Sequence, residues 1–114
     1  MKMILPKILI VEDEPEMFKT MMRLLKRIGY DVLPSATTGI EAIESVRDNN
    51  PDLILMDIIL DVKMDGIEAV RHIREISDAS VIYLSQQSDK DTFERARVSG
   101  AQGYFVKPVR YLNP

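Results

Sequence analysis

Cysteine and tryptophan are both absent from the 114 residues of this sequence. Without cysteine the chain can form no disulfide, no thiolate metal site and no cysteine nucleophile, which is compatible with a reducing compartment. Long apolar runs are lacking too, since no stretch approaches the roughly 18 residues of a membrane-spanning helix. The segment from Met1 to Lys7 is too short and too soon interrupted by charge to act as a secretory signal. We therefore expect a soluble, cytoplasmic protein that enters no membrane.

A strong excess of charge of one sign is also missing. The net charge is −3, with 46% of the residues hydrophobic and 29% charged. These proportions are typical of a globular domain rather than a disordered chain, and mild acidity gives no electrostatic reason to bind nucleic acid. The length suits one domain and is short for two. We expect residues 1–114 to form a single domain with its core between residues 7 and 108.

One short apolar run that ends in a carboxylate organises the rest of the sequence. The run from Asp52 to Asp57 follows Pro51 and has only apolar residues between its two carboxylates, which predicts a buried strand. Its continuous apolar pattern is typical of a parallel strand covered on both faces. In open α/β sheets the functional crevice lies outside the carboxyl ends of the strands. Asp57 is therefore predicted to lie at the functional edge of a sheet.

Strand and helix patterns alternate along the whole chain. Strands are predicted at Lys7–Val11, Asp31–Ser35, Asp52–Asp57, Ser80–Ser85 and Gly103–Val106. Four intervening helices are predicted to turn apolar faces inward, namely Met17, Met21, Leu24, Leu25 and Ile28, then Ile40, Ile43 and Val46, then Ile67, Val70 and Ile73, then Phe93 and Ala96. This alternation with short connections predicts an α/β domain with a parallel sheet. The fourth helix, at about residues 89–99, is the least apolar, and we expect it to be mobile.

Turn and capping residues mark the ends of these helices. Gly29 is expected to end the first helix, and either Thr37 or Thr38 to cap the second. A fifth helix would be expected after Lys107, but only the segment from Val109 to Pro114 remains, with room for about one turn. We expect residues 109–114 to be a remnant of that helix or a linker, so the helix is truncated or missing. The apolar surface so exposed would favour self-association as a homodimer, or a segment that extends onto a neighbouring molecule.

Acidic residues follow two of the predicted strands. Glu12 and Asp13 come directly after the first strand, and Asp57 ends the third. If these strands are neighbours, the carboxylates crowd one crevice, which Mg²⁺ with its preference for oxygen ligands would relieve. Lys107 after the fifth strand supplies positive charge, and Ser85 supplies a hydroxyl. This group of residues suits the formation of an acyl phosphate on Asp57.

On these residues the chain resembles the receiver domain of two-component response regulators. The matching motifs are Ile8–Glu14, Pro51–Asp57, Met64–Gly66, Val81–Ser85 and Gly103–Pro108. Each motif is weak alone, but together and in this order they are highly specific, and they span nearly the whole chain. The resemblance implies a flavodoxin-like, doubly wound five-stranded parallel sheet of order 2-1-3-4-5. It also implies that the chain catalyses only its own phosphorylation and dephosphorylation. An effector domain beyond residue 114 is possible, and the sequence does not decide whether one exists.

The resemblance further implies a role for each matching site residue. Asp57 would accept a phosphoryl group from a phosphohistidine on a sensor histidine kinase or a histidine phosphotransfer protein. Mg²⁺ would be held by Asp13, Asp57 and the backbone carbonyl of Ile59, with Glu12 reaching the ion directly or through water. Lys107 would pair with Asp57 before transfer and with the phosphoryl group afterwards.

Two more residues match the family's conformational switch. Ser85 would move toward the phosphoryl group, and Tyr104 would then turn inward. The residues themselves also allow plainer roles, because a strand-end serine commonly satisfies a backbone group and aromatic residues commonly pack in strands. The family also holds the peptide bond before Pro108 in cis.

Departures from the family pattern lie close to the site. Asp61 stands where the family usually has proline, in a loop with one extra residue, and it either faces water or adds negative charge near the metal. Gln86 follows Ser85 where the family prefers alanine or glycine. Because a bulky side chain there could obstruct an attacking water, we expect Gln86 to prolong the life of the acyl phosphate.

Two other functions stay open. A magnesium-dependent phosphatase of the haloacid dehalogenase type would carry paired aspartates after its first strand, whereas this chain has Glu12-Asp13-Glu14 and no cap domain. A receiver-like module that interacts without phosphate would not need the key residues, yet all are present. His72, the only histidine, lies within a predicted helix without a ligand-like partner and is interpreted as structural.

Overall fold

The computed structural model of the chain describes residues 4–60, 63–86 and 89–107. Within these ranges the strands are β1 (Lys7–Val11), β2 (Asp31–Val32), β3 (Leu53–Asp57), β4 (Ser80–Ser85) and β5 (Gly103–Val106). The helices are α1 (Pro15–Arg27), α2 (Gly39–Asn49), α3 (Gly66–Ile73) and α4 (Lys90–Val98). Asp61, the extra loop residue, the peptide bond before Pro108 and the predicted helix remnant at 109–114 all involve positions outside the described residues.

The five strands form one parallel sheet in the order β2-β1-β3-β4-β5. The predicted fold class and strand order are thereby confirmed. Val11 pairs with Met56, and Asp57 pairs with Leu84, so β1, β3 and β4 deliver their carboxyl ends to the same edge. The chain reverses its direction of winding between β1 and β3, which is where open α/β sheets bind their ligands.

The main core lies on the sheet face covered by α2, α3 and α4. Its strand members are Leu9, Val11, Ile54, Met56, Val81 and Tyr83. Helix α3 supplies most of the cover, since five of its eight residues are buried: Gly66, Ile67, Ala69, Val70 and Ile73. In α4 only Thr92 and Ala96 are buried. The prediction that α4 contributes little to the core is therefore confirmed, although its mobility stays a prediction.

Several predicted core positions are wrong. Leu24 and Ile28 on the first helical stretch are exposed, as is Ile40 on α2. Leu24 lies outside the partly buried side of α1, which includes Met21 and Leu25, and Ile28 lies just beyond the last residue of α1. In α2 the buried residues are Gly39, Ala42 and the predicted Val46, and the predicted Ile43 is partly buried and packs against the core.

Helix α4 also differs in detail, because Phe93 is half exposed rather than buried. Its ring packs edge to face on Tyr104, with the ring centroids 5.3 Å apart. The aromatic pair therefore lies at the edge of the sheet, between α4 and β5, with Tyr104 packed against the core.

Strand β2 is shorter than predicted, because pairing stops before Ser35. The amides of Asp31 and Leu33 donate to Pro6 and Ile8, but the next donor to β1 is Ala36 instead of Ser35, so the regular alternation of the ladder is interrupted after Leu33. Contact resumes at Ala36, which forms an isolated bridge with Val11 and accepts a 3.0 Å hydrogen bond from the amide of Glu12.

Helix starts follow their capping residues. Thr38, and not Thr37, caps α2 by accepting a hydrogen bond from the amide of Glu41 at 3.1 Å. Asp65 caps α3 in the same manner, and Asp89 caps α4. None of the helices within the described parts of the chain combines the length and the apolar character that crossing a bilayer would require.

Candidate functional site

Three carboxylates meet at the carboxyl edge of the sheet. Asp57 is the last residue of β3, and Glu12 and Asp13 follow β1 directly. One oxygen atom from each lies within 4.8 Å of the others, with Glu12 and Asp57 buried and Asp13 exposed. The strand order therefore brings together carboxylates that are more than 40 positions apart in the sequence.

Lys107 joins two of these carboxylates. Its Nζ donates to Oε1 of Glu12 at 2.8 Å and to Oδ2 of Asp57 at 3.2 Å. All three side chains are at most 7% exposed. The backbone amide of Lys107 donates to the carbonyl of Ser85 at 2.6 Å, which fixes the lysine at the end of β4. Removing one partner of such a buried pair would leave an uncompensated charge.

The electrostatics of the site reflect this burial. Burial and the negative charge of Glu12 raise the pKa of Asp57 to about 7, although the ammonium of Lys107 pulls it downward. Burial also opposes the charged form of Lys107, but its hydrogen bond to Glu12 and the charges of Asp57 and Glu12 outweigh this, so the pKa of Lys107 lies above its usual value. The crowded carboxylates thus carry more negative charge than one lysine stabilises.

Backbone amides hold the carboxylates in place. The amide of Glu14, at the start of α1, donates to Oε2 of Glu12 at 3.2 Å. The amide of Ile59 donates to Oδ1 of Asp57 at 3.2 Å. Both carboxylates are therefore oriented from two sides, by Lys107 and by the chain itself.

These residues surround a hollow of about 240 Å³. Its lining comprises Glu12, Asp13, Glu14, Asp57, Ile59, Gln86 and Lys107. Since one water in the liquid takes up about 30 Å³, the hollow has room for a hydrated ion beside a small anionic group. Sequence reasoning missed Glu14 as a lining residue, although its place beside Glu12 and Asp13 was a signal.

The predicted switch residues lie apart from this hollow. Ser85 is fully buried at the end of β4 and does not line it. Tyr104 is half-buried on β5 and faces Phe93 of α4. His72 is exposed on α3 and does not line the hollow either.

Gly66 presses against the backbone of the central aspartate. Its amide donates to the carbonyl of Ile58 at 2.7 Å. A Cβ atom at this position would collide with the carbonyl oxygen of Asp57 and come within 2.9 Å of Cγ of Met56. Only glycine therefore fits without a shift of the chain. Sequence reasoning noted the Met64-Asp65-Gly66 motif but gave this glycine no function.

The donor set of the hollow fits a hard divalent cation. Mg²⁺ takes oxygen ligands from carboxylates and carbonyls and keeps several waters. Three carboxylates converge here, and a single ammonium among the lining residues offsets them. We therefore take Glu12, Asp13 and Asp57, together with the carbonyl of Ile59, as the residues able to hold this ion.

Comparison with known proteins decides the family. The model of the response regulator receiver domain matches residues 8–112. The chain belongs to the response regulator receiver domain family. This confirms the resemblance found in its sequence motifs.

Similar proteins include both short and longer chains. The receiver domain is 30% identical over 105 residues to the chemotaxis protein CheY of Halobacterium salinarum, covering 91% of this chain and 87% of that protein. It is 36% identical over 102 residues to the transcriptional regulatory protein PdtaR of Mycobacterium tuberculosis, covering 90% of this chain. The match spans only 49% of the length of PdtaR.

Solved structures show the same fold. A CheY-like receiver domain protein from Methanospirillum hungatei superimposes with a TM-score of 0.86 at 26% identity, covering 94% of this chain and 85% of that one. A complex of CheX and CheY with BeF₃ and Mg²⁺ from Borrelia burgdorferi contains a chain that matches with a TM-score of 0.83 at 28% identity, covering 91% and 79% of the two chains. The fold and the family of this receiver domain are thereby established.

Proposed function

We propose that this receiver domain is a phosphorylation-switched signalling domain in which Asp57 accepts a phosphoryl group. The donor would be a phosphohistidine on a sensor histidine kinase or a histidine phosphotransfer protein. The observation that carries the proposal is the buried triad of Glu12, Asp57 and Lys107 beside the exposed carboxylate of Asp13. A domain that acted only through surface contacts would not need buried charges gathered at this edge.

Transfer forms one bond and breaks another. An oxygen of the Asp57 carboxylate attacks phosphorus while the bond between phosphorus and the donor imidazole breaks. The imidazole nitrogen keeps the bonding electron pair and takes up a proton. The domain itself then carries the acyl phosphate, so it acts on its own side chain and is not proposed to be a turnover enzyme.

The residues of the hollow have distinct parts in this step. Lys107 lies 3.2 Å from Oδ2 of Asp57, favours its ionised form and is placed to pair with the transferred phosphoryl oxygens. Asp13, Asp57 and the carbonyl of Ile59 would hold Mg²⁺, and Glu12 would reach it directly or through water. The bound ion would neutralise charge on the phosphoryl oxygens. The magnesium and beryllofluoride named for the Borrelia burgdorferi complex support this assignment.

We also propose that Ser85 and Tyr104 transmit the change. Ser85 is buried at the end of β4, and its backbone carbonyl accepts a hydrogen bond from the amide of Lys107. Ser85 is therefore directly joined to a residue of the site. Tyr104 contacts Phe93 of α4, so a turn of its ring would change the support of that helix. Output would then be a shift in population between two positions of α4.

The organisation of the chain remains part of the proposal. We take residues 1–114 as a single receiver domain with its core at residues 7–108, acting in the cytoplasm with a kinase or phosphotransfer partner. Homodimer formation and a connected effector domain stay predictions. Light scattering at high protein concentration tests the dimer, which a strictly monomeric profile would rule out.

Labelling with acetyl phosphate tests the phosphoacceptor function. We expect the intact mass of the wild-type chain to rise by one phosphoryl group in the presence of Mg²⁺ and to stay unchanged with EDTA. Asp57→Asn should take up none. Asp52→Asn is the matched control, because Asp52 lies at the opposite end of β3, where its carboxylate accepts the amide of Lys7. An unlabelled wild type, or equal labelling of Asp57→Asn, would overturn the proposal.

A further inference from the structure

One ion pair connects the start of α3, close to Asp57 at the carboxyl edge of the sheet, with α4. Asp65 lies at the start of α3, where its Oδ1 accepts a 2.9 Å hydrogen bond from the amide of Glu68. Its Oδ2 accepts a second hydrogen bond, also 2.9 Å long, from Nη2 of Arg95 on α4. One carboxylate therefore caps α3 and holds α4 at the same time.

The Asp65 end of this pair is fixed to the site. The next residue, Gly66, donates its amide to Ile58 at 2.7 Å and leaves no room for even a Cβ atom against the carbonyl of Asp57. Helix α3 is anchored further by its buried residues, which include Ile67 and Val70. A change in the backbone around Asp57 must therefore reach Asp65 through direct contact.

The Arg95 end of the pair belongs to a helix with little packing. The C-terminal end of α4 is fastened to β4, since the hydroxyl groups of Tyr83 and Ser99 lie 2.7 Å apart. Among the contacts described for α4 before Ser99, the Arg95 ion pair ties the helix to α3, and the Phe93 ring rests against β5. The helix is thus arranged to pivot about its C-terminal end.

Space for such a pivot lies beside the helix. A groove of about 720 Å³ separates α3 from α4 and is lined by Arg71 on one side and by Asp91, Arg95 and Val98 on the other. It is larger than the hollow at Asp57, but it lacks the buried, convergent charges found there. The groove gives α4 open space on the side that faces α3.

We propose that the ion pair between Asp65 and Arg95 is a latch that holds α4 in its unphosphorylated position. The proposal rests on the proposed phosphoacceptor function and adds a second link between Asp57 and α4, separate from Ser85 and Tyr104. Since a 2.9 Å contact does not survive a pivot of the helix, phosphorylation would have to break the latch. A domain without the latch should therefore reach the activated state more easily.

Beryllofluoride with Mg²⁺ serves as the probe, in place of the short-lived phosphoryl group. We expect Asp65→Asn and Arg95→Gln each to tighten beryllofluoride binding by roughly two- to five-fold, the range of a partly exposed ion pair. Asparagine keeps the helix cap, so α3 should still form. The double variant should bind no more tightly than either single variant, because there is only one latch to remove.

Glu94→Gln is the matched control. Glu94 pairs with Arg97 on the same helix, but that pair stays within α4 and does not reach α3. This variant should therefore leave the affinity for beryllofluoride unchanged. An equal gain in affinity for Glu94→Gln would show a general charge effect and would overturn the latch.

Amide hydrogen exchange gives a second measurement that needs no ligand. In the free protein the amides of Thr92 and Ala96 should exchange roughly two- to five-fold faster in Asp65→Asn and in Arg95→Gln than in the wild type. Unchanged exchange, or an affinity that is unchanged or weaker in both variants, would overturn the latch. A wild type that binds no beryllofluoride would instead overturn the proposed phosphoacceptor function.

Discussion

Two sets of ion pairs, similar in chemistry, occupy very different surroundings. Lys107 pairs with Glu12 and Asp57 inside the hollow, where the side chains are at most 7% exposed. Asp65 and Arg95 pair at the surface, where their side chains are 28% and 43% exposed. The first set joins the ends of the chain's first, third and fifth strands, and the second joins two neighbouring helices.

Burial decides what each set can do. Buried charges must be paired, and their pKa values shift when they are crowded, so they can be used for chemistry. Exposed pairs contribute only about 0.2–1 kcal/mol and can be broken and remade easily. The hollow is thus suited to hold a reactive carboxylate, whereas the surface pair is suited to regulate the position of a helix.

Replacing the buried lysine should have the largest effect on stability. Lys107→Met leaves two buried carboxylates without their cation, and we expect a loss of about 2–4 kcal/mol in the free energy of unfolding at pH 8 without metal. Lys19→Met is the matched exposed change, because Lys19 pairs with Glu16 at the surface of α1. It should cost less than about 0.5 kcal/mol. Urea denaturation measures the free energy of unfolding of both variants. Equal losses would show that the buried ion pairs of Lys107 contribute no more than the exposed pair of Lys19.

Removing the carboxylate of Asp57 should instead increase the free energy of unfolding. The pKa of Asp57 is raised to about 7 in the folded state, whereas the unfolded chain ionises near pH 4. Between these values only the folded state keeps the proton, so the stability of the metal-free protein falls as the pH rises and the loss is complete above pH 7. We expect Asp57→Asn to be more stable than the wild type by about 1–3 kcal/mol at pH 8.

The pH dependence provides its own control. The difference between Asp57→Asn and the wild type should shrink steadily as the pH is lowered toward 5, because both folded proteins are then neutral at this position. Mg²⁺ at pH 8 should narrow it as well by stabilising the wild type. Urea titrations at several pH values, with and without EDTA, follow both trends. A constant difference would mean that Asp57 is not a crowded carboxyl group.

A kinetic test is possible at Gln86, which lines the hollow beside the buried ion pairs of Lys107. This side chain is exposed and lines the hollow, where it can hinder a water that attacks the acyl phosphate. We expect Gln86→Ala to shorten the half-life of the phosphorylated domain about two- to ten-fold, corresponding to about 0.4–1.4 kcal/mol in the barrier. Gln86→Asn, one methylene shorter, should lie between. The decay of the phosphorylated mass peak with time gives each half-life. Equal half-lives for the wild type and Gln86→Ala would show that Gln86 does not hinder hydrolysis.

The smallest effect is expected for the ion pair that lies wholly within α4. Glu94 and Arg97 are three residues apart and both well exposed. Glu94→Gln should change the free energy of unfolding by less than about 0.5 kcal/mol. A loss of more than 1 kcal/mol in urea denaturation would show that surface pairs matter more here than their exposure indicates.

Much of the fold could be predicted because the strands are continuous apolar runs bounded by turn residues. The positions of β1, β4 and β5 match the predicted ranges, and β3 differs at one end by a single residue. Strand β2 is shorter than predicted because apolar content alone does not show the extra residue between Leu33 and Ala36, where the regular pairing with β1 is interrupted. The exposed Leu24 and Ile40 show that apolar spacing on a helix does not state which row faces the sheet.

The hollow could be predicted because its residues follow strands whose ends share one edge. The contacts that link it to α4 could not, since Asp65 and Arg95 lie 30 residues apart and neither sits in a strand. That Ser85 is fully buried and does not line the hollow also follows only from the three-dimensional packing. Charge type and order along the chain predict which groups meet, and packing decides how they face one another.

Chemical trapping of the acyl phosphate shows whether Asp57 is the residue that accepts the phosphoryl group. The domain is incubated with acetyl phosphate and Mg²⁺, treated with sodium borohydride, which reduces an acyl phosphate to an alcohol, and digested for peptide mass mapping. We expect homoserine at position 57 with Mg²⁺ present, and an unmodified position 57 when Mg²⁺ is removed with EDTA. Homoserine at Asp13 instead, 5-hydroxynorvaline (the reduction product of a glutamyl phosphate) at Glu12, or a stable phosphate on Ser85 would contradict this expectation.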